Sequence, residues 1–386
     1  MFKIIVNQTE LKKALSNILP TLGKGAKDVY DDCVYIECFE ENNVSKLKVI
    51  TTNQSEIGEC VCNIVKNEST NSDDICSLVK FSVLYNLVES IPDGLDIIIK
   101  NDKNGDPVFI NYKNRKKPIE LASLDHTKFL FKPIDGQYKF DLTLPCKDLK
   151  ECIDVASNVI VENDNYPIYT CANLTILDKQ IVLRAMDPVN TKRMMIYSIS
   201  TKASGKGNFL LHCESAKKIL NTMNEAADVR IASNNNTILL EQDNTKYFVR
   251  LLNGQFAKIE GFMPNKYDTE IEFDKQELTL ALKRIKSVAD KAKNVSSCKF
   301  TLDNAFSSIE FNNTKGNILE QVVTTLNGSN KEIAFLIDSI CKTVSEIKSN
   351  KIKFGFCNNK NNYAVLMPCS GKCIHRVLVP AVSIKK

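Results

Sequence analysis

The apolar positions between Ile271 and Ala289 change period once, and that change organises the chain. Ile271 and Phe273 alternate with polar neighbours as in a strand. Leu278, Ala281, Leu282, Ile285 and Val288 or Ala289 then fall at the i, i+3, i+4, i+7 spacing of a half-buried helix. Asp274 and Glu277, three apart at the change, fit a helix start with Asp as the cap. Lys283, Arg284 and Lys286 lie off the apolar stripe.

The same pattern occurs twice upstream. Leu142, Leu144, Leu149, Cys152, Ile153 and Ala156 repeat its apolar positions, with Lys147 and Lys150 on the polar side. Ile4, Val6, Leu11, Ala14, Leu15 and Ile18 repeat them again, with Lys12 and Lys13 on the polar side. One such helix is an ordinary solvated surface. Three copies about 130 residues apart exceed the period of solenoid units and indicate repeated domains.

Each third has a second strand–helix–strand half. Leu84, Val88 and Ile91 point inward in the first, Ala216, Leu220 and Met223 in the second, and Ile340, Val344 and Ile347 in the third. Between the helices lie hairpin patterns at 34–50, 173–183 and 298–311. Two helices per third cover only one face of the sheets, so the expected class is α+β with largely antiparallel strands. Lys132-Pro133-Ile134-Asp135-Gly136 and Met263-Pro264-Asn265-Lys266 break the pattern. The expected domains are 1–135, 136–264 and 265–386.

Composition narrows the class. Of the 386 residues, 43% are hydrophobic and 25% charged, which is ordinary for a soluble globular protein. No run approaches the ~18 apolar residues of a membrane span, and MFKIIVNQTE lacks the shape of a signal peptide, so a cytoplasmic location is expected. The fourteen cysteines are scattered. Cys33, Cys38, Cys60, Cys62, Cys152 and Cys171 fall in apolar patterns and read as buried free thiols. Cys369, Cys373 and His375 form the one tight group, but its spacing matches no common zinc template, and no metal is expected. The net charge is +5, with the basic excess in the last third. That distribution permits nucleic-acid contact without requiring it.

Catalytic motifs are missing. Gly23-Lys24-Gly25 and Gly205-Lys206-Gly207 lack the spacing that wraps a phosphate. There is no GxSxG, HExxH or strand-linked GxGxxG, and the three histidines have no partner nearby in sequence. The paired acids Asp31-Asp32 and Asp73-Asp74 sit in loop-like surroundings and read as solvated. Neither an enzyme nor a cofactor is expected.

The order of these elements resembles the bacterial DNA polymerase III beta subunit, the sliding clamp, from residue 1 to about 369. FVRLLNGQFAKIEGFMPNK (248–266) resembles the segment joining that family's second and third domains. EIAFLIDSICKTVSEIKSNKIKFGF (332–356) and NYAVLMPC (362–369) are similar to its C-terminal region. The stretch Ile181 to Pro188 is also similar to proliferating cell nuclear antigen.

The resemblance implies three tandem clamp domains and a homodimer joined head to tail into a ring, with helices lining a hole for duplex DNA. Sequence-independent lysine–phosphate contacts would then permit sliding. By position, the DNA-facing candidates are Lys12, Lys13, Lys147, Lys150, Lys217, Lys218, Lys283 and Lys286, with Lys24, Lys27, Lys291 and Lys293 on loops. The family's pocket for short peptides of the DNA polymerase, the clamp loader and repair proteins maps to Thr170, Arg193, Met194, Phe262, Val365, Leu366, Met367, Pro368 and Cys369. Subunit contacts map to Ile119 and Leu121 on one side and Ser287 and Val288 on the other.

The chain departs from the family in several places. Ala257 and Gly261 replace a Pro and an Arg, and Val189-Asn190-Thr191 lengthens the loop after Asp187. Family members usually end just after the Met-Pro pair, whereas SGKCIHRVLVPAVSIKK continues here as an expected extension bordering the pocket. The family is typically acidic, and this chain is not. These features point to a divergent member of phage or plasmid type. Two other readings are a monomeric processivity protein that lies on DNA without encircling it, and a structural or assembly protein reusing the fold.

Overall fold

A computed structural model describes all residues except 24–29, 71–75, 114, 130–138, 235, 253, 290–295, 314–315, 358–359, 372 and 384–386. Six α-helices occur among the described residues: α1 (Gln8–Ile18), α2 (Phe81–Ser90), α3 (Cys146–Ala156), α4 (Cys213–Leu220), α5 (Lys275–Val288) and α6 (Ile337–Glu346). Each follows directly on a strand, as the change of period predicts.

The caps explain where two of these helices begin. The Asn7 side chain accepts from the Thr9 N–H at 3.0 Å at the start of α1. Asp274 accepts from the Glu277 N–H at 2.9 Å at the start of α5. Glu277 itself accepts from the Val323 N–H at 3.2 Å, so the helix start is tied to a neighbouring strand. The predicted stripes are buried. Leu11, Ala14, Leu15 and Ile18 are covered on α1, Leu149, Cys152, Ile153 and Ala156 on α3, and Leu278, Ala281, Leu282 and Ile285 on α5. Fully covering one such aliphatic side chain contributes roughly 1.5–3 kcal/mol.

The predicted hairpins form. Cys33–Glu41 pairs with Val44–Thr52 across Asn42 and Asn43, whose φ values of 52° and 62° suit the tight turn that asparagine tolerates. Cys171–Leu177 pairs with Gln180–Met186, and Ser297–Leu302 with Ala305–Asn313.

The chain divides into two compact units, residues 1–147 with 215–251, and residues 148–214 with 252–386. The first holds a 5-stranded and a 9-stranded sheet, and the second a 12-stranded sheet; all their strand pairs are antiparallel. The middle repeat contributes to both units because its strands extend two different sheets. Thr245–Arg250 pairs with Glu56–Asn63 in the first unit. Met194–Ser200 pairs with Ile374–Pro380 in the second.

The segment after Ser370 is not an appendage. Ile374–Pro380 is an interior strand of the 12-stranded sheet, between Met194–Ser200 and Lys360–Pro368. Its alternating His375, Val377 and Val379 are buried on one face, while Leu378 faces the other.

Candidate functional site

The helices turn their lysines outward because their apolar stripes pack inward. Lys13, Lys147, Lys217, Lys218, Lys283 and Lys286 are exposed, and Lys12 and Lys150 are half-buried. Some of this charge is already engaged. Lys12 pairs with Glu89 at 3.7 Å and Lys286 with Asp338 at 2.5 Å. Arg284 holds the Glu320 carboxylate with two bonds of 2.7 and 2.6 Å. Among the described residues Lys13, Lys147 and Lys283 make no ion pair, which leaves them open to an external anion. The loop candidates Lys24, Lys27, Lys291 and Lys293 lie outside the described residues.

The pocket candidates that lie on strands divide between two faces of the second unit's sheet. Along Lys360–Pro368, Val365 and Met367 point to one side and Leu366 and Pro368 to the other. The first side carries an apolar cluster of buried Met186, Ile259, Met263, Tyr363, Val365 and Leu378. Met194, Met367 and Ala257 pack against it. The structure therefore brings together Met194, Val365 and Met367. It adds Leu378, which stands opposite Met194 on one side and Val365 on the other. Gly355 makes room for this cluster, since a Cβ there would lie 2.5 Å from the Tyr267 ring.

The remaining candidates have other surroundings. Leu366 is core. Pro368 borders a separate cavity on the opposite face. Cys369 is half-buried and donates its N–H to the Lys351 carbonyl at 3.2 Å. Thr170 is buried and donates to the Pro167 carbonyl at 2.6 Å. Arg193 is 1% exposed, ion-paired with Glu346, and donates to the Asn158 carbonyl at 3.2 Å. Its guanidinium is a buried strut and offers no surface to a ligand. Burial pushes the Glu346 carboxyl above its ordinary pKa despite the Arg193 charge beside it. Phe262 is 40% exposed at the end of a short 3-10 turn.

The loop between Met186 and Met194 is built around one carboxylate. Asp187 accepts from the N–H groups of Val189, Asn190 and Thr191 at 3.2, 3.1 and 2.7 Å, and from the Thr191 hydroxyl at 2.9 Å. Burial alone would raise its pKa, but these donors outweigh burial and hold it below the ordinary value. The cage explains how a longer loop still returns both methionines to one cluster. Arg376 secures the opposite border, donating to the Met263 and Pro264 carbonyls at 3.2 and 3.3 Å and to Asn265 at 3.0 Å.

Leu378 and Arg376 were missed because Met367-Pro368 and Val379-Pro380 are both apolar–proline pairs near the C-terminus. The second pair was the available signal.

Of the subunit-contact candidates, Leu121 is already buried in its own unit's core, while Ile119 packs on the edge of that core. Ile119–Leu121 is the last strand of the 5-stranded sheet. Ser287 is exposed and Val288 half-buried at the end of α5. In the adjoining strand Gly316–Asn327, residues 316–324 pair on one side with Ala305–Asn313, and 324–327 pair on the other with Thr269–Asp274. Among the described residues 316–322 meet no strand on that second side, while the Val323 N–H is taken by Glu277.

Cys33, Cys38, Cys60, Cys62, Cys152 and Cys171 are buried free thiols. Burial pushes Cys62 and Cys171 up to about 12, which makes them inert at neutral pH. Among the described residues no group of three His, Cys, Asp or Glu side chains is placed to hold a metal ion. No described helix is long and apolar enough to cross a membrane.

Residues 261–382 match the model of the DNA polymerase III beta subunit, C-terminal domain. That match continues past Ser370 and includes the Ile374–Pro380 strand, in agreement with its place inside the sheet. A Beta sliding clamp from Mycoplasma genitalium is 22% identical, over 98% of this chain and 100% of that protein. A putative DNA polymerase III beta subunit from Eubacterium rectale superposes with a TM-score of 0.84 at 18% identity, covering 99% of each chain. The DNA polymerase III subunit beta from Pseudomonas aeruginosa gives 0.84 at 15% identity, covering 99% of this chain and 100% of that one.

Proposed function

We propose that this divergent relative of the bacterial DNA polymerase III beta subunits is a DNA sliding clamp. In this reading it is a non-catalytic processivity factor that closes around duplex DNA and tethers the replicative polymerase. The observation that carries the reading is the repeated strand–helix unit, with lysines opposite the buried stripes of α1, α3, α4 and α5, in a chain whose whole length has the clamp fold. Exposed lysines such as Lys13, Lys147 and Lys283 suit phosphate contact without base readout. A ring needs no tighter grip, because encirclement retains the DNA.

We assign three tandem repeats, 1–135, 136–264 and 265–386, to each subunit of a head-to-tail homodimer. The edge at 316–322 and the terminal strand Ile119–Leu121 are the natural pairing partners between copies, since unpaired strand edges seek a strand. The partner site is the apolar cluster that holds Met194, Met367 and Leu378, with Phe262 exposed next in sequence to its Met263. Its methionines can repack around different peptides of the polymerase, the clamp loader and repair proteins. The expected location is the cytoplasm, at the nucleoid.

Light scattering decides first between ring and monomer, with a dimer expected at micromolar concentration. Loading onto closed circular DNA, followed by linearisation, then tests encirclement. Rapid release on cutting is expected. Equal retention on linear and circular DNA would favour a protein that lies on DNA, and no DNA retention would favour a structural protein.

A further inference from the structure

A second site lies on the opposite face of the second unit's sheet from the methionine cluster, and it is independent of the clamp reading. It is a cavity of about 140 Å³ between the ends of α3 and α6 and the strand Ile374–Pro380. Val155, Pro368 and the Tyr197 ring supply apolar lining, and Glu346 and His375 are among its polar lining, with Glu151 and Lys348. Tyr197 meets the His375 ring edge-on, with centroids 5.2 Å apart.

Several polar groups at the cavity are already engaged. The Tyr197 hydroxyl donates to Glu151 at 2.9 Å, and the same Glu151 oxygen takes Lys348 at 3.3 Å. Glu346 Oε2 is held by Arg193. Among the described residues Glu346 Oε1 and His375 Nε2 are buried without a partner, as is Nε of the Arg193 that holds Glu346. Their residues are 7% exposed at the Glu346 side chain and 6% at His375. Buried polar atoms of this kind ordinarily find a hydrogen bond, so each wants a group from outside the chain.

The charges decide what kind of group fits. Glu151 is matched by Lys348 and Glu346 by Arg193. Burial, and then the charges of Arg193, Lys348 and Lys275, hold His375 down at about 4, so it is neutral at physiological pH. The site is balanced, and a charged ligand would enter a buried space without a counter-ion. The Glu346 oxygen requires a donor. His375 Nε2 requires a donor or an acceptor according to its tautomer. A primary amide satisfies both cases, with two N–H bonds and one carbonyl, whereas an alcohol offers a single donor.

We propose that this cavity binds a small uncharged primary carboxamide with a short branched alkyl body, the amide between Glu346 and His375 and the alkyl group against Val155, Pro368 and Tyr197. The probe is isobutyramide, titrated into the full chain and followed by NMR of the Tyr197 and His375 rings. Saturable shifts are expected, with isobutyrate binding at least tenfold more weakly. Val155→Phe, which fills the apolar end from a half-buried position, should weaken isobutyramide at least tenfold and leave the melting temperature near wild type. If that variant fails to fold, the amide–acid comparison on the wild type decides alone. Equal binding of acid and amide, no saturable shift, or a soaked crystal with only ordered water between Glu346 and His375 would each overturn the proposal.

Discussion

The two seams at which the middle repeat extends its neighbours' sheets are built from different materials. In the first unit, Glu56–Asn63 meets Thr245–Arg250 under a set of polar ties. Asn17 donates to the Thr245 hydroxyl at 3.1 Å, Tyr247 donates to the Asn17 carbonyl at 2.5 Å, and Glu56 takes the Ser215 hydroxyl. Its separate apolar cluster is small: Ala232, Leu239 and Phe248, with Ile57 against them. In the second unit, Met194–Ser200 meets Ile374–Pro380 under the methionine cluster, with a cavity on the reverse face. The same strand addition thus gives a seam pinned by directional hydrogen bonds in one place. In the other it gives an adaptable apolar surface, which is what a docking site for several partners requires.

The largest effect expected from breaking this contrast is on folding. Leu378→Asp places a carboxylate without a partner in the second seam, at a cost of about 3–5 kcal/mol. Denaturant titration should show that loss. Wild-type stability after this change would mean that the strand does not seal the sheet. Phe248→Ala in the first seam should also destabilise by about 3–5 kcal/mol, yet leave peptide affinity per folded molecule unchanged.

A smaller effect separates docking from stability. Phe262→Ala with Met367→Ala removes exposed and half-buried surface, so the fold and assembly should survive. Polymerase-peptide binding, read by calorimetry, should fall more than tenfold, about 1.4 kcal/mol. Wild-type polymerase stimulation by this double variant would move the partner site elsewhere.

Smaller again is the effect on DNA. Replacing Lys13, Lys147 and Lys283 with Ala should weaken binding uniformly across sequences. The logarithmic salt slope should flatten by about 0.9 for each phosphate that the variant no longer neutralises. Sequence-dependent weakening would contradict a backbone-only grip.

The smallest is a pH effect at the loop that feeds the second seam. The Asp187 pKa is lower in the folded chain than in the unfolded one, so its contribution is present above the unfolded value and fades as pH falls through the folded value. Asp187→Asn should therefore cost stability at neutral pH, and the gap to wild type should narrow in acid. A gap that stays constant from neutral to acid pH would show that the carboxylate cage carries no linkage.

How much of this was legible in the sequence depended on whether local periodicity carried the information. The stripe from Leu278 to Ile285 and its two counterparts reads directly, because a helix backed by one sheet must bury every third or fourth residue. The asparagine turn at 42–43 reads equally well, since few residues accept its positive φ. The pocket read only in part. Met194, Val365 and Met367 share a face, but Leu366 and Pro368, named with them, point away by simple strand alternation. Arg193 lies on no binding wall, because it is buried and paired with Glu346, which is distant in sequence.

Local spacing sets the repeated strand–helix unit, the outward lysines and the antiparallel class, because each follows from residues a few positions apart. The tertiary structure alone decided that the last apolar–proline pair belongs to an interior strand, and that the middle repeat is shared between two sheets. It also decided that Leu378 rather than Leu366 completes the methionine cluster. Those outcomes rest on which strand edges meet across long separations, and strand pairing is set by hydrogen bonds between segments that carry no mark of each other in their own sequence.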